Sequence, residues 1–200
     1  MKPNAILLIG PTGSGKTPLG DLCQKQGIQK KYCFHFDFGE NLRRAAEFGF
    51  LEEVLSSEDV SLIQKALTHG LLLENETFYI AEKILNAFIA ENRTGVGDLI
   101  LLNGMPRHID QAEDANRLVN IISVVVLECA SETVFERIQL NSGGDRSRRK
   151  DDSLAEIQNK LRSFHRRTLP LVEYFASLKV PVKTIRVEVH TTANDLLKEL

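Results

Sequence analysis

The octapeptide at residues 10–17 limits what this chain can fold into more than any other stretch. Its sequence, GPTGSGKT, matches G-x-x-x-x-G-K-[ST], follows the apolar run AILLI and precedes a segment with a helical pattern. The glycines Gly10, Gly13 and Gly15 permit backbone conformations in which several N–H groups point into one concave loop. Together with the positive end of the following helix, these amides predict a phosphate-binding loop.

Two side chains of the loop predict the kind of phosphate that it holds. Lys16 is placed to bridge the β- and γ-phosphates of a nucleotide, and the Thr17 hydroxyl is placed to ligate Mg²⁺. The alternative is a glycine-rich turn with a surface lysine, which the position between a strand and a helix disfavours. The motif indicates ATP or GTP as donor and leaves the acceptor open. The predicted ATP-binding residues of the loop are Gly10, Gly13, Ser14, Gly15, Lys16 and Thr17.

Short apolar runs that alternate with helical patterns predict the fold class. The runs are apolar on both faces, as in parallel strands covered by helices, and cover residues 5–9, 32–36, 99–102, 123–128 and 182–189. Helical patterns cover residues 18–27, 40–48, 58–68, 76–92, 110–120, 132–140, 152–164, 169–178 and 192–200. We therefore expect an α/β chain with a five-stranded parallel sheet, right-handed crossovers and a helical insertion between the second and third strands.

Composition excludes several classes of protein. The chain has 200 residues, 42% of them hydrophobic, which suits one core, and its net charge of −2 gives no global attraction to nucleic acid or membrane. Cys23, Cys33 and Cys129 lack a C-x-x-C spacing, which favours a reduced protein without structural zinc. The N-terminal apolar run is too short for a signal sequence, and no run approaches the roughly 20 residues of a membrane span. We expect a cytoplasmic protein.

The segment LILLNGMPRHIDQAEDANRL, residues 99–118, carries the information on the acceptor. Its strand ends at Asn103, Gly104 lets the chain turn close to a ligand, and Arg107 leaves the carboxyl edge where open α/β sheets bind ligands. Gln111 lies about one helical turn beyond Arg107. An amide able to read a base edge would then stand near a guanidinium able to grip a phosphate.

Four segments, taken in order, resemble adenylate kinase and its relatives among the nucleoside monophosphate kinases. They are GPTGSGKT, DFGENLRRAA, NGMPRHIDQA and RRKDDSLAEIQNKL…TLPLVEYF, and the similarity spans nearly the whole chain. The most specific marker is G-[FM]-P-R followed four residues later by Gln. The resemblance implies a P-loop NTPase-type three-layer sandwich, a monophosphate-binding insertion at residues 37–73 and a short lid without zinc cysteines at 140–150. It further implies a monomeric enzyme that moves the γ-phosphoryl of Mg-ATP onto AMP.

The resemblance also implies roles for individual residues. Arg107 would hold the AMP phosphate, Arg43 would be a second phosphate clamp, and Gln111 would bind the adenine. The remaining acceptor positions implied are Gly39, Gly70, Leu73 and Gly104. Arg137 would pack on the ATP adenine, although a solvated ion pair with neighbouring glutamates is the alternative. At the lid exit Arg149 would contact the transferring phosphoryl, and Asp151 and Asp152 would close the lid or only cap a helix. The implied catalytic residues are Lys16, Arg107 and Arg149.

Several positions depart from the family pattern. Asn103 stands where the family has an aspartate, so it would orient a metal-bound water without bringing a negative charge. Phe38 replaces a small hydroxyl residue and would alter the wall around the base, and the loop reads G-K-T rather than G-K-G-T. Asn141 and Lys160 stand where arginines are expected, and the candidates to substitute are Arg146, Arg148 and Arg162. Because of these departures, the sequence does not determine which nucleobase the acceptor carries.

Two alternatives to an adenylate kinase follow. One is a P-loop kinase for another monophosphate or small acceptor, or a diverged nucleotide-binding protein with weak activity. The other is a nucleic-acid-binding module without transfer, suggested by the basic runs DRSRRK and RSFHRR. Because these runs are short and have acidic neighbours, they lack the broad basic stripe of a nucleic-acid face. We expect no binding of nucleic acid at physiological salt.

Overall fold

The computed structural model describes residues 2–48, 51, 53–69, 73–92, 97–146 and 153–200. Its centre is a five-stranded sheet in which every neighbouring pair is parallel, in the order β2-β3-β1-β4-β5. The strands are β1 (Asn4–Ile9), β2 (Cys33–Asp37), β3 (Leu99–Asn103), β4 (Asn120–Glu128) and β5 (Val182–Arg186). This sheet confirms the predicted α/β fold class with its parallel strands.

Helices follow the strands as the sequence predicts, with boundaries shifted by a few residues. They are α1 (Lys16–Gln26), α2 (Phe38–Phe48), α3 (Ser57–His69), α4 (Phe78–Asn92), α5 (Ala112–Leu118), α6 (Ser131–Gln139), α7 (Leu154–Ser163), α8 (Leu171–Ser177) and α9 (Ala193–Lys198). Short 3₁₀ turns, Asn75–Thr77 and Ile109–Gln111, precede α4 and α5, and a π-helical turn, Phe164–Thr168, joins α7 to α8. Between β2 and β3 the chain forms α2, α3 and α4, as the helical patterns there predict.

The alternation of side chains along β1 divides the core between the two faces of the sheet. Ala5, Leu7 and Ile9 belong to the cluster that includes the buried residues of α4, whereas Ile6 and Leu8 belong to the cluster on the side of α1 and α9. Each of these β1 side chains is at least nine-tenths buried, and each burial of a large aliphatic group contributes about 1.5–3 kcal/mol. Layers of helices therefore cover both faces, as expected from the apolar runs.

A buried carboxylate fixes α3 against α4. Asp59 accepts hydrogen bonds from the Tyr79 hydroxyl (2.7 Å), the Lys83 ammonium (2.8 Å) and the Ser56 backbone N–H (3.0 Å). Burial by itself raises the pKa of Asp59, but the bonds from Lys83, Tyr79 and Ser56 outweigh it and lower the pKa to about 2. The carboxylate is ionised at neutral pH and holds α3 in place.

Two of the three cysteines lie in the apolar core, and Cys129 is partly buried. Cys23 and Cys33 are buried, and burial raises the pKa of these thiols to about 11 and about 12. Within the described ranges, no three His, Cys, Asp or Glu side chains come together as a metal-binding group. No helix in those ranges combines the length and the apolar character needed to cross a membrane.

Candidate active site

Residues 10–15 form the loop between β1 and α1, and Lys16 and Thr17 are the first residues of the helix, as the motif predicts. Gly13 (φ +78°) and Gly15 (φ +96°) take left-handed conformations that side chains rarely adopt. A Cβ on Gly10 would lie 2.7 Å from the Ser14 hydroxyl oxygen and 3.0 Å from the Leu127 carbonyl oxygen. Helix α1 begins at Lys16 without a side-chain cap on its first turn, so its N–H groups face the loop and suit an anion.

The side chains of Lys16 and Thr17 lie where the motif requires them. The Lys16 ammonium donates to the carbonyl oxygens of Gly10 (2.7 Å) and Pro11 (2.8 Å), so it lies against the loop backbone. The Thr17 hydroxyl accepts from the Asn103 amide (3.2 Å), which brings these two predicted residues together at the edge of the sheet. Lys16, Thr17 and Asn103 all line one cleft.

Asp37 joins this group, although no motif in the sequence predicted it as a site residue. The Thr17 hydroxyl donates to Asp37 Oδ2 at 2.7 Å, and the Asn103 amide donates to the same oxygen at 2.9 Å. Asp37 is the last residue of β2 and pairs in register with Asn103, the last residue of β3. The signal was present, because an aspartate directly after an apolar run lies at the carboxyl end of a parallel strand, where ligands bind.

A cleft of about 550 Å³ extends from the loop to α2, α3 and the segment after β3. The described cations that line it are Lys16, Arg43, Arg107, Arg146 and Lys160. The described acidic side chains that line it are Asp37, Asp145 and Glu156. The excess of cations suits a ligand that carries several phosphate charges.

Arg107 lies in the turn after β3 and is fixed there by three neighbours. Its backbone N–H donates to the Gln111 side-chain oxygen (3.0 Å), and its Nε donates to the Gly104 carbonyl oxygen (2.8 Å). The Thr168 hydroxyl, in the π-helical turn, donates to the Arg107 carbonyl oxygen (2.8 Å). These bonds fix the backbone and the guanidinium of Arg107 where the residue lines the cleft.

Gln111 connects this turn to Leu73, in the segment before α4. Its amide nitrogen donates to the Leu73 carbonyl oxygen at 2.7 Å, while its oxygen accepts from Arg107, and the side chain is buried. The structure therefore brings Gln111, Leu73 and Arg107 together in the cleft lining. The base-binding role of Gln111 stays a prediction.

Helix α2 brings Arg43 to the cleft. Its guanidinium donates to the Glu40 carboxylate, from Nε at 3.1 Å and from Nη2 at 2.9 Å. Gly39, one turn earlier, lines the same wall. Because this ion pair is partly exposed, we expect it to contribute little to stability. A phosphate would therefore compete with Glu40 for Arg43 at small cost.

Phe38 forms an aromatic part of that wall. Its ring stacks on Phe36, with centroids 6.2 Å apart and planes at 24°, and the side chain is buried. A Cβ on Gly104, which has φ +93°, would lie 3.4 Å from the Phe38 Cβ. The glycine therefore accommodates the close approach of α2 to the turn after β3.

Arg137 is buried beneath the phosphate loop. Its Nε donates to the Gly13 carbonyl oxygen (2.9 Å), and its Nη1 donates to those of Glu188 (2.6 Å), Val189 (3.1 Å) and Thr191 (3.0 Å). The alternative of a solvated ion pair is wrong, because the residue is 3% exposed. Arg137 ties the loop to the segment after β5, and its contact with ATP stays a prediction.

The segment predicted to form a short lid, residues 140–150, is described only as far as residue 146. Arg146 has a largely buried side chain that reaches the loop, where Nη2 donates to the Thr12 hydroxyl at 3.1 Å. The Asn141 side-chain oxygen accepts from the Arg146 backbone N–H at 3.1 Å, so Asn141 shapes the turn that positions Arg146. Lys160 also lines the cleft. The predicted residues that lie outside the described ranges are Gly70, Arg148, Arg149, Asp151 and Asp152.

Known proteins resemble this chain over most of its length, although no protein-family model matches it. It is 32% identical over 178 residues to adenylate kinase isoenzyme 5 of Mus musculus. The matched region covers 87% of this chain but only 28% of the length of that relative. It is 30% identical over 185 residues to the adenylate kinase of Prochlorococcus marinus (strain MIT 9211), covering 89% and 86%.

A UMP-CMP kinase is also similar. The protein of Lentinula edodes is 29% identical over 185 residues, covering 88% of this chain and 76% of the relative. The names of these relatives specify different monophosphates. The comparisons therefore indicate the family but not which monophosphate is the acceptor. Because identity of 30% extends over most of both chains in the Prochlorococcus comparison, this protein belongs to the nucleoside monophosphate kinase family.

Proposed function

We propose that this chain is an adenylate kinase that transfers the γ-phosphoryl of Mg-ATP to AMP and yields two ADP. One observation carries the proposal: Lys16 and Thr17 of the phosphate loop and Arg107 and Gln111 after β3 line the same cleft. A donor nucleotide in the loop and an acceptor monophosphate at Arg107 would then share one cavity. The adenylate kinase names of two relatives support AMP as the acceptor.

The cleft supplies what transfer between two phosphates requires. The reaction brings several negative charges together and spreads charge over the equatorial oxygens, so positioned cations do most of the work. Lys16 would bind the donor phosphates and Arg107 the acceptor phosphate, while Arg146 and Lys160 would approach from the lid side. Mg²⁺ would neutralise charge on the β- and γ-oxygens, and the Thr17 hydroxyl beside a carboxylate suits this oxygen-seeking cation.

The acceptor end of the cleft suits a nucleobase. Phe38, Leu42, Leu73 and Phe78 line it with apolar surface, and Gln111 lines it with an amide. An apolar slot with few polar groups is the usual form of a site for a flat heterocycle. A second candidate is transfer to UMP or CMP, which the Lentinula relative and the space taken by the Phe38 ring both favour.

Bisubstrate analogues test the shared cleft directly. An analogue with two adenosines joined by five phosphates should bind about 10²- to 10⁴-fold more tightly than ATP or AMP alone, because binding of its second half is intramolecular. Calorimetry would compare the affinity of this diadenosine compound with that of the analogue in which one adenosine is replaced by uridine. The proposal requires the diadenosine compound to bind tighter; preference for the uridine compound would favour the second candidate. Affinity no better than that of ATP would contradict a shared donor and acceptor cleft.

A further inference from the structure

The hydroxyl of Thr17 lies between a carboxylate and an amide from two neighbouring strands. It donates its proton to Asp37 Oδ2 and accepts from the Asn103 amide, at 2.7 Å and 3.2 Å. A hydroxyl has one proton and two lone pairs, so these contacts leave one lone pair of Thr17 to face the cleft. Donation to a carboxylate also makes the hydroxyl oxygen a better ligand for a cation.

The two carboxylate oxygens of Asp37 have different hydrogen-bond partners. Oδ1 accepts the backbone N–H of Glu40 (3.0 Å) and so caps the first turn of α2, while Oδ2 faces Thr17 and Asn103. The Asn41 side chain donates to the Asp37 carbonyl oxygen at 2.8 Å and fixes the same turn. The cap involves one oxygen only. The other accepts from Thr17 and Asn103, and all three residues line the cleft.

The partner of Asp37 on β3 explains why only one of these two positions carries a charge. Asn103 occupies the position where the family pattern has an aspartate, and its amide nitrogen lies 2.9 Å from Asp37 Oδ2. Two carboxylates at that separation would repel each other, and one would have to take up a proton. An amide at position 103 avoids the repulsion and donates a hydrogen bond to the carboxylate instead.

We propose that Asp37 is the magnesium-site carboxylate of this enzyme, moved from β3 to the end of the neighbouring strand β2. The inference rests on the proposed function, since it requires a magnesium nucleotide in the phosphate loop. Asp37 and the Thr17 hydroxyl form the protein's side of the metal site, and Asn103 orients both. The negative charge that Asn103 does not provide on β3 is provided by Asp37, its pairing partner on β2.

The test measures binding rather than turnover. Calorimetry would give the affinity for the β,γ-imido analogue of ATP with saturating Mg²⁺ and again in EDTA, for the wild type and for Asp37→Asn. Asparagine caps a helix as well as aspartate does, so this change removes the charge and keeps the cap. We expect the gain in affinity due to Mg²⁺ to fall about 10- to 100-fold, while metal-free affinity is unchanged or tighter.

Two further variants complete the experiment. Asp114→Asn, which makes the same change in an exposed ion pair with Arg117 on α5, should keep the wild-type magnesium dependence. The double variant Asp37→Asn, Asn103→Asp returns the carboxylate to β3. It should recover most of the gain in analogue affinity that Mg²⁺ gives the wild type. The proposal is overturned if Asp37→Asn keeps the wild-type magnesium dependence, or if its metal-free affinity falls by the same factor, which a purely structural role would produce. Binding of the metal-free analogue by the wild type shows separately that the loop holds a nucleotide.

Discussion

Lys16→Ala is expected to lower kcat for phosphoryl transfer by about 100- to 1,000-fold. The ammonium group lies against the loop backbone, 2.7 Å from the Gly10 carbonyl oxygen, at the N-terminal end of α1. A positive charge there would neutralise the γ-phosphoryl as it leaves the donor, and Lys16 is the one lysine or arginine within residues 10–17. Steady-state kinetics with saturating Mg-ATP would measure the loss.

Two further variants separate the catalytic role of the Lys16 charge from a structural role of its side chain in the loop. Lys25→Ala removes an exposed lysine from the last turn of the same helix and should leave kcat unchanged. Lys16→Met keeps most of the length of the side chain and should be as inactive as Lys16→Ala. A Lys16→Ala protein that retained kcat within a factor of about three, well short of the expected loss, would mean that the loop does not hold the transferring phosphate.

Arg107→Ala is expected to lower kcat/KM for the monophosphate by about 100- to 1,000-fold while leaving the affinity for the ATP analogue nearly unchanged. The split follows from position, because Arg107 lines the cleft after β3, whereas the phosphate loop follows β1. Arg107→Lys keeps the charge but loses the planar fork that binds two phosphate oxygens, so it should recover only part of the loss. Kinetics with varied acceptor and calorimetry with the ATP analogue would measure the two quantities.

The control for Arg107 is Arg117→Ala, which removes an exposed arginine paired with Asp114 on α5. It should change neither kcat/KM for the monophosphate nor the affinity for the ATP analogue. If Arg107→Ala weakened binding of the ATP analogue as much as it lowered kcat/KM, Arg107 would belong to the donor half of the cleft. The acceptor role inferred from the G-M-P-R segment would then be wrong.

The sheet could be predicted from the sequence because buried parallel strands read as continuous apolar runs. The boundaries depended on partners that the sequence does not show. Asn120 was predicted to end a helix but lies in β4, where it pairs with Asn4 of β1. Ile121, which was assigned to no element, follows it in β4 and pairs with Ala5. The last strand was predicted to reach residue 189, yet it ends at Arg186, and the carbonyl groups of residues 188 and 189 accept from Arg137 instead.

The motifs predicted several of the residues that line the cleft, and the roles of these residues stay predictions. Lys16, Thr17, Asn103, Arg107 and Gln111 lie in the cleft lining because a loop or turn at the end of a strand carries each of them to the same edge of the sheet. Contacts between distant segments escaped prediction. Examples are the approach of Arg146 to the phosphate loop, the burial of Arg137 and the meeting of Asp37 with Asn103.

The measurement that tests the central claim most directly is a coupled assay with ATP and Mg²⁺ that offers AMP, dAMP, GMP, CMP and UMP in turn. Lys16→Ala serves as the blank. The account predicts turnover with AMP well above that with the other ribonucleotides, lost in the blank. If the chain bound the ATP analogue but phosphorylated none of these monophosphates, the assignment of the Arg107 side of the cleft as an acceptor site would be contradicted.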